Sequence, residues 1–148
     1  MKKGFSGRVI LASDHGGLEL KNLLVDWLRK NKIEFHDAGT NSAESVDYPD
    51  YARLVAEGLL SGQFERGVLV CGTGIGMSIA ANRYRGIRAA LCHSTYTARM
   101  CRLHNDANVL CLGGRVLGSG EALEILETFL NTEFEGGRHQ RRLEKIDP

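Results

Sequence analysis

The feature that most limits the fold is an alternation, five times over, of short apolar runs with longer segments of helical period. Residues 8–14 (RVILASD), 33–39 (IEFHDAG), 67–72 (GVLVCG), 86–93 (GIRAALCH) and 108–114 (NVLCLGG) read as strands. A helix is predicted over 17–32, where Leu20, Leu23, Leu24, Trp27 and Leu28 fall on one face. Another covers 49–62, with Pro49 in its first turn and Gly62 beyond its end. Further helices are expected over 74–84, 95–104 and 119–132, the last with Ser119 as N-cap, and a short one over 139–146. Such alternation demands right-handed crossovers and a parallel sheet with helices on both faces. The strand runs are almost wholly apolar, as doubly covered strands must be. Without a repeat, a low-complexity stretch or a Pro-rich linker, residues 1–148 read as one domain.

Composition narrows the function. A length of 148 residues suffices to bury a core without staples. A net charge of +1 argues against a general nucleic-acid or membrane-surface binder. No apolar run reaches the length of a membrane span, and the opening MKKGFSGR has no apolar core of a secretory signal. Cys71, Cys92, Cys101 and Cys111 show no CxxC spacing, so reduced thiols in a cytoplasmic protein are expected, not a disulfide frame or a zinc site.

In open parallel sheets, ligands bind beyond the carboxyl ends of the strands. Those ends carry Asp14-His15, 37–40, Cys71 to Gly76, Cys92-His93 and 113–115. The segment CGTGIG raises the sharpest question. It is not G-x-G-x-x-G, and it lacks the Lys-Ser/Thr of a P-loop. Met77 stands where a tyrosine-phosphatase loop would need arginine. Two readings stay open. The glycines can simply permit a tight strand-to-helix turn, with Cys71 a small buried hydrophobe. Alternatively, successive amides form a concave anion site, and Cys71 is a thiolate base beside it, with Thr73 adding a hydroxyl.

Other clusters are ambiguous one by one. Asp14-His15 is either a polar turn or a partner for sugar hydroxyls and phosphate. Tyr48, before Pro49, belongs to a helix start but would face the same crevice. His104-Asn105-Asp106 caps a helix, or supplies an imidazole suited to proton transfer near neutrality. GGRHQRR (136–142) is a solvated basic face, or a clamp in which Arg138 and Arg142, four apart, grip a phosphate dianion.

Seven collinear motifs resemble one family: SDHGG (13–17), DYPDYA (47–52), CGTGIGMSIAANR (71–83), GIRAAL (86–91), HNDANVL (104–110), GGRV (113–116) and GGRHQRR (136–142). The chain resembles ribose-5-phosphate isomerase type B, in the group that also holds galactose-6-phosphate and allose-6-phosphate isomerases. The resemblance implies an α/β, Rossmann-like three-layer sandwich with a five-stranded parallel sheet. It implies aldose–ketose isomerisation of a sugar phosphate without metal or cofactor. It also implies a homodimer with shared active sites, a tetramer being left open. Cys71 matches the base, Thr73 its assistant, His104 the ring-opening acid–base and Asp14 a sugar-oxygen partner. Gly72, Gly74, Ile75, Gly76 and Ser78 match the anion hole, and Asn105 an intermediate-binding residue. His15, Arg115, Arg138 and Arg142 match phosphate ligands, and Tyr48 lines the pocket. Residues 1–7 are expected to be a disordered or decorative extension, and 136–148 a phosphate-binding tail. His93 receives no role.

Overall fold

All five expected strands form and pair in parallel, in the order β2-β1-β3-β5-β4. The computed structural model describes residues 4–147. Its strands are β1 (Val9–Ser13), β2 (Phe35–Asp37), β3 (Arg66–Cys71), β4 (Ala89–Leu91) and β5 (Val109–Gly113). Its helices are α1 (Leu18–Lys30), α2 (Tyr48–Leu60), α3 (Ile75–Ala81), α4 (Thr95–Asn105), α5 (Ser119–Asn131) and α6 (Arg138–Leu143).

The core follows the two-residue period of the strands. Val9, Leu11, Val68, Val70, Leu110 and Leu112 face a cluster with Leu24, Ala98, Cys101 and Ile125 of α1, α4 and α5. Their alternates Ile10, Ala12, Leu69, Cys71, Val109 and Cys111 face Ala52, Val55, Met77 and Ala81 of α2 and α3. The three expected layers are thus present, and the parity of β3 turns Cys71 toward α2 and α3.

Several boundaries differ from the sequence expectation. β2 and β4 are the edge strands and keep three residues each, because a strand paired on one side has fewer ladder bonds to extend it. α3 stops at Ala81, where Arg83 and Tyr84 donate to carbonyls three residues back, and Gly86 at φ +89° then turns the chain. The N-cap of α5 is Gly118, in extended backbone, so Ser119 is already inside the helix and caps nothing. The extension is not merely decorative. Phe5 packs against the α1/α4/α5 core, its amide donates to Asn131 Oδ1 at 3.0 Å, and Arg66 lies over its ring. Residues 1–3 of that extension lie outside the described residues.

Candidate active site

The sheet changes direction between β1 and β3, and the chemistry-bearing residues of those two strand ends meet there. Asp14 leaves β1 nearly buried, and its carboxylate accepts the Gly17 amide at 3.1 Å, capping a 3-10 turn over His15–Gly17. That turn lies against β3: a Cβ on Gly17 would fall 2.4 Å from the carbonyl oxygen of Val70, so only glycine lets the two segments approach. A Cβ on Gly16 would lie 3.3 Å from both Asp14 Oδ1 and the Gly72 nitrogen, and 3.6 Å from Arg115 Nη2. These short separations place Asp14, the start of the loop and Arg115 around one point. The Arg115 amide also donates to the Gly72 carbonyl, and no carboxylate among the described residues pairs with its guanidinium.

Cys71 ends β3 with 5% exposure, and its Sγ accepts the Gly74 amide at 3.1 Å. Gly74 adopts φ +79°, the left-handed conformation that turns the chain into α3. Thr73 Oγ1 accepts the Ile75 amide at 3.2 Å, and Ser78 Oγ donates to the Ile75 carbonyl at 2.7 Å. The amides of Gly72, Thr73, Gly76 and Met77 have no acceptor among the described residues. Tyr48, at the start of α2, lies across Gly76, whose added Cβ would meet the ring at 2.8 Å. His15 Nδ1 accepts the Val46 amide at 3.2 Å, so in the neutral ring Nε2 carries the proton and is a donor. A cleft of about 650 Å³ between α1 and the β5–α5 loop opens beside His15, Gly16 and Arg115.

The remaining candidates lie elsewhere. α4 runs back from the carboxyl edge after β4 to the amino edge before β5, so His104 and Asn105 sit at the opposite edge from Cys71. Their position is built firmly. Asp106 caps α4 at φ +45°, and its carboxylate takes Arg102 at 2.9 Å and Arg88 at 3.4 Å. Arg102, 2% exposed, also donates to the carbonyls of Ala107 and Thr132. The tail joins this edge: His139 of α6 stacks on His104, with ring centroids 4.3 Å apart and planes within 16°. Arg138 and Arg142 are exposed on that same helix. Within one chain, then, Asp14, His15, Tyr48, the 71–78 loop and Arg115 come together, while His104, Asn105, Arg138 and Arg142 form a second group away from them.

Sequence reasoning missed the support of the first group. Lys21 is fully buried and donates to Asp37 Oδ1 and Oδ2 at 2.6 and 2.8 Å, and to Asn41 Oδ1 at 3.1 Å. These bonds tie α1 to the end of β2 and to the loop after it, further along which Val46 holds His15. The signal was available, since Lys21 precedes Leu24 and Leu28 by three and seven residues and so lies in the apolar stripe. The other thiols have different surroundings from Cys71. Burial pushes the Cys111 thiol far up, and a hydrogen bond with Cys92, followed by burial, does the same to Cys101. Among the described residues no helix is long and apolar enough to cross a membrane.

A parallel sheet with a thiol, free amides, a carboxylate and a guanidinium at its switch point places the protein among α/β proteins with ligand chemistry at the carboxyl edge. The family model described as Ribose/Galactose Isomerase matches residues 9–146, and the chain belongs to that family. It is 45% identical over 139 residues to the Escherichia coli protein named ribose-5-phosphate isomerase B, covering 94% of this chain and 93% of the relative. The crystal structure of a Thermotoga maritima ribose 5-phosphate isomerase superposes with a TM-score of 0.94 at 55% identity, covering 95% of this chain and 97% of that one. Ribose-5-phosphate isomerase B of Clostridium thermocellum gives 0.93 at 53% identity, with 95% of each chain covered.

Proposed function

We propose that this protein interconverts ribose 5-phosphate and ribulose 5-phosphate, the activity for which its E. coli, T. maritima and C. thermocellum relatives are named. One observation carries the reading. At the β1/β3 switch point of a chain in this family, the Cys71 thiol adjoins a loop of unsatisfied amides and the Arg115 guanidinium.

The sugar phosphate arrives as a ring, so it must open before any proton can move between carbons. His104 of the partner subunit takes the O1 hydroxyl proton and returns one to the ring oxygen, with Asp14 holding a sugar oxygen. The Cys71 thiolate then removes the C2 proton of the open aldose and delivers it to C1, while the O2 proton passes to O1. The enediolate between these steps is held by the 72–78 loop, with Thr73 and Asn105 assisting. Because the Gly74, Ile75 and Ser78 amides are engaged, the loop amides free for the oxyanion are those of Gly72, Thr73, Gly76 and Met77. Each such donor is worth about 3 kcal/mol in the transition state. The phosphate, remote from the reacting carbons, orients the substrate. His15 and Arg115 bind it from one chain, and Arg138 and Arg142 from the other.

This reading calls for a second copy of the chain, since the two groups of residues occupy opposite edges of the sheet. An apolar patch beside the loop supports the pairing: Ile75 and Ile79, one helical turn apart, are 50% and 57% exposed, and Tyr48 is 40% exposed. The whole chain acts as one domain that lends its tail to its partner. Four free buried thiols suit the reducing cytoplasm in which we place the reaction.

The test is turnover on ribose 5-phosphate against allose 6-phosphate and galactose 6-phosphate, with solvent-deuterium incorporation at the transferred position. A higher kcat/KM on a hexose phosphate moves the assignment to six-carbon sugars. Tight binding without exchange makes the protein a sugar-phosphate-binding module instead. Cys71→Ala should lower kcat by roughly a thousandfold, the scale of a lost general base, while phosphate-analogue binding persists. Retention of most of kcat would place the base elsewhere.

A further inference from the structure

The stack of His139 on His104 leaves one polar atom unexplained. His139 is 4% exposed, and its Nε2 is buried with no hydrogen-bond partner among the described residues. A third potential ligand stands beside the pair. The Glu135 amide donates to the carbonyl of Leu103 at 3.1 Å, which fixes that residue against the end of α4. Gly136 and Gly137, at φ +74° and +59°, then turn the chain so that His139 returns over His104. One ligand atom each from His104, Glu135 and His139 lies within 4.8 Å of the others.

We propose that His104, Glu135 and His139 form a binding site for a divalent transition-metal ion, Zn²⁺ being the best match, and that occupation inhibits the enzyme. Two imidazoles and one carboxylate, with a fourth position open to water, are a ligand set that zinc accepts. Oxygen-seeking ions such as Mg²⁺ and Ca²⁺ are poorly served by it. The site closes on binding instead of standing preformed. In parallel rings the nitrogen lone pairs run side by side, so convergence needs a turn of the half-buried His104 ring about Cβ–Cγ, a torsion with broad preferences. Glu135 is exposed and free to follow. Arg138 and Arg142 on α6 oppose a dication, so affinity falls below that of a structural zinc site.

Inhibition rests on the role proposed for His104. An imidazole nitrogen that binds a metal ion has no lone pair with which to accept the sugar proton, so ring opening stops. This metal serves no catalytic step.

Co²⁺ added to the intact protein tests the binding, because its visible bands intensify when it leaves octahedral water for a four-coordinate site. The wild type should develop those bands, and Glu135→Gln, a change at an exposed residue, should weaken binding by roughly tenfold or more. His139→Gln should do the same. An unchanged aqueous spectrum, or equal binding by wild type and Glu135→Gln, overturns the site. Zn²⁺ should inhibit the isomerase reversibly, with chelation by EDTA restoring turnover, and Glu135→Gln should keep basal turnover but resist Zn²⁺. Intense Co²⁺ bands together with undiminished activity would uphold the site but overturn the inhibition, and would remove His104 from ring opening.

Discussion

If each active site takes Cys71 from one chain and His104 from another, two inactive variants should restore one another. The structure supplies the distance argument. Cys71 pairs with Gly113 at the carboxyl end of β5, while His104 precedes the amino end of that strand. α4 has eleven residues, so its two ends lie about 16 Å apart. Each group must lie within about 3 Å of the sugar atom it serves, or one water further, and those atoms are neighbours on one small sugar, so on the proposed mechanism a single chain does not supply both. Suppose Cys71→Ala and His104→Ala proteins are mixed in equal amounts, unfolded and refolded together. Random pairing makes half of the dimers mixed. Each mixed dimer contains one site with both substitutions and one with neither, so the mixture should recover about a quarter of wild-type activity per chain, as two-fold symmetry requires. The assay is ribulose 5-phosphate formation, before and after co-refolding, with each variant alone as control. Recovery near zero, with mixed dimers demonstrated by mass spectrometry, would refute the shared site. It would also require α4 to move far from its place in this fold.

The buried ion pair and the phosphate clamp make separate predictions. Lys21→Met removes the fully buried ammonium and leaves Asp37, whose side chain is 23% exposed, without its cation. We expect a loss of about 3 kcal/mol in urea unfolding, the low end for a broken buried pair because Asp37 still reaches water. Adding Asp37→Asn should recover part of it, and a loss below about 1 kcal/mol, the range of exposed pairs, would show that the pair contributes little. Arg142→Ala should raise KM with kcat nearly unchanged, since the phosphate interaction is the same in ground and transition states. An unchanged KM would remove Arg142 from the site.

The layers were legible because they rest on patterns that a chain cannot hide. Apolar runs with helical segments between them compel parallel crossovers, and every expected strand exists. What the sequence concealed is position across the sheet. His104 and Cys71 each close an element, but α4 runs antiparallel to the strands, so its end and a strand end lie at opposite edges. The residue-by-residue reading set all clusters around one crevice, whereas the fold divides them between the two edges of the sheet. Lys21 was overlooked because a lysine in a helix reads as solvent-facing. Its burial depends on Asp37 arriving from β2, a contact that local periodicity does not encode. Ser119 failed as a cap for a similar reason: the preceding glycine adopts the extended conformation first, and the helix begins on the serine itself.

The same geometry explains why the second group is so heavily braced. If, as we propose, His104 serves another chain's crevice, its orientation has to be set from within its own chain. Arg102 does this with one side chain, joining the Asp106 carboxylate to the carbonyls of Ala107 and Thr132 and so locking the end of α4 to the segment that follows α5. That segment continues into Glu135, whose amide returns to Leu103, and then into α6, whose His139 covers the face of His104. One continuous stretch therefore covers the His104 ring and carries Arg138 and Arg142, the two arginines we propose as a phosphate clamp. On the proposed function, one chain would thereby supply the ring-opening imidazole and two of the phosphate arginines, while the other would supply the base, the amides, His15 and Arg115.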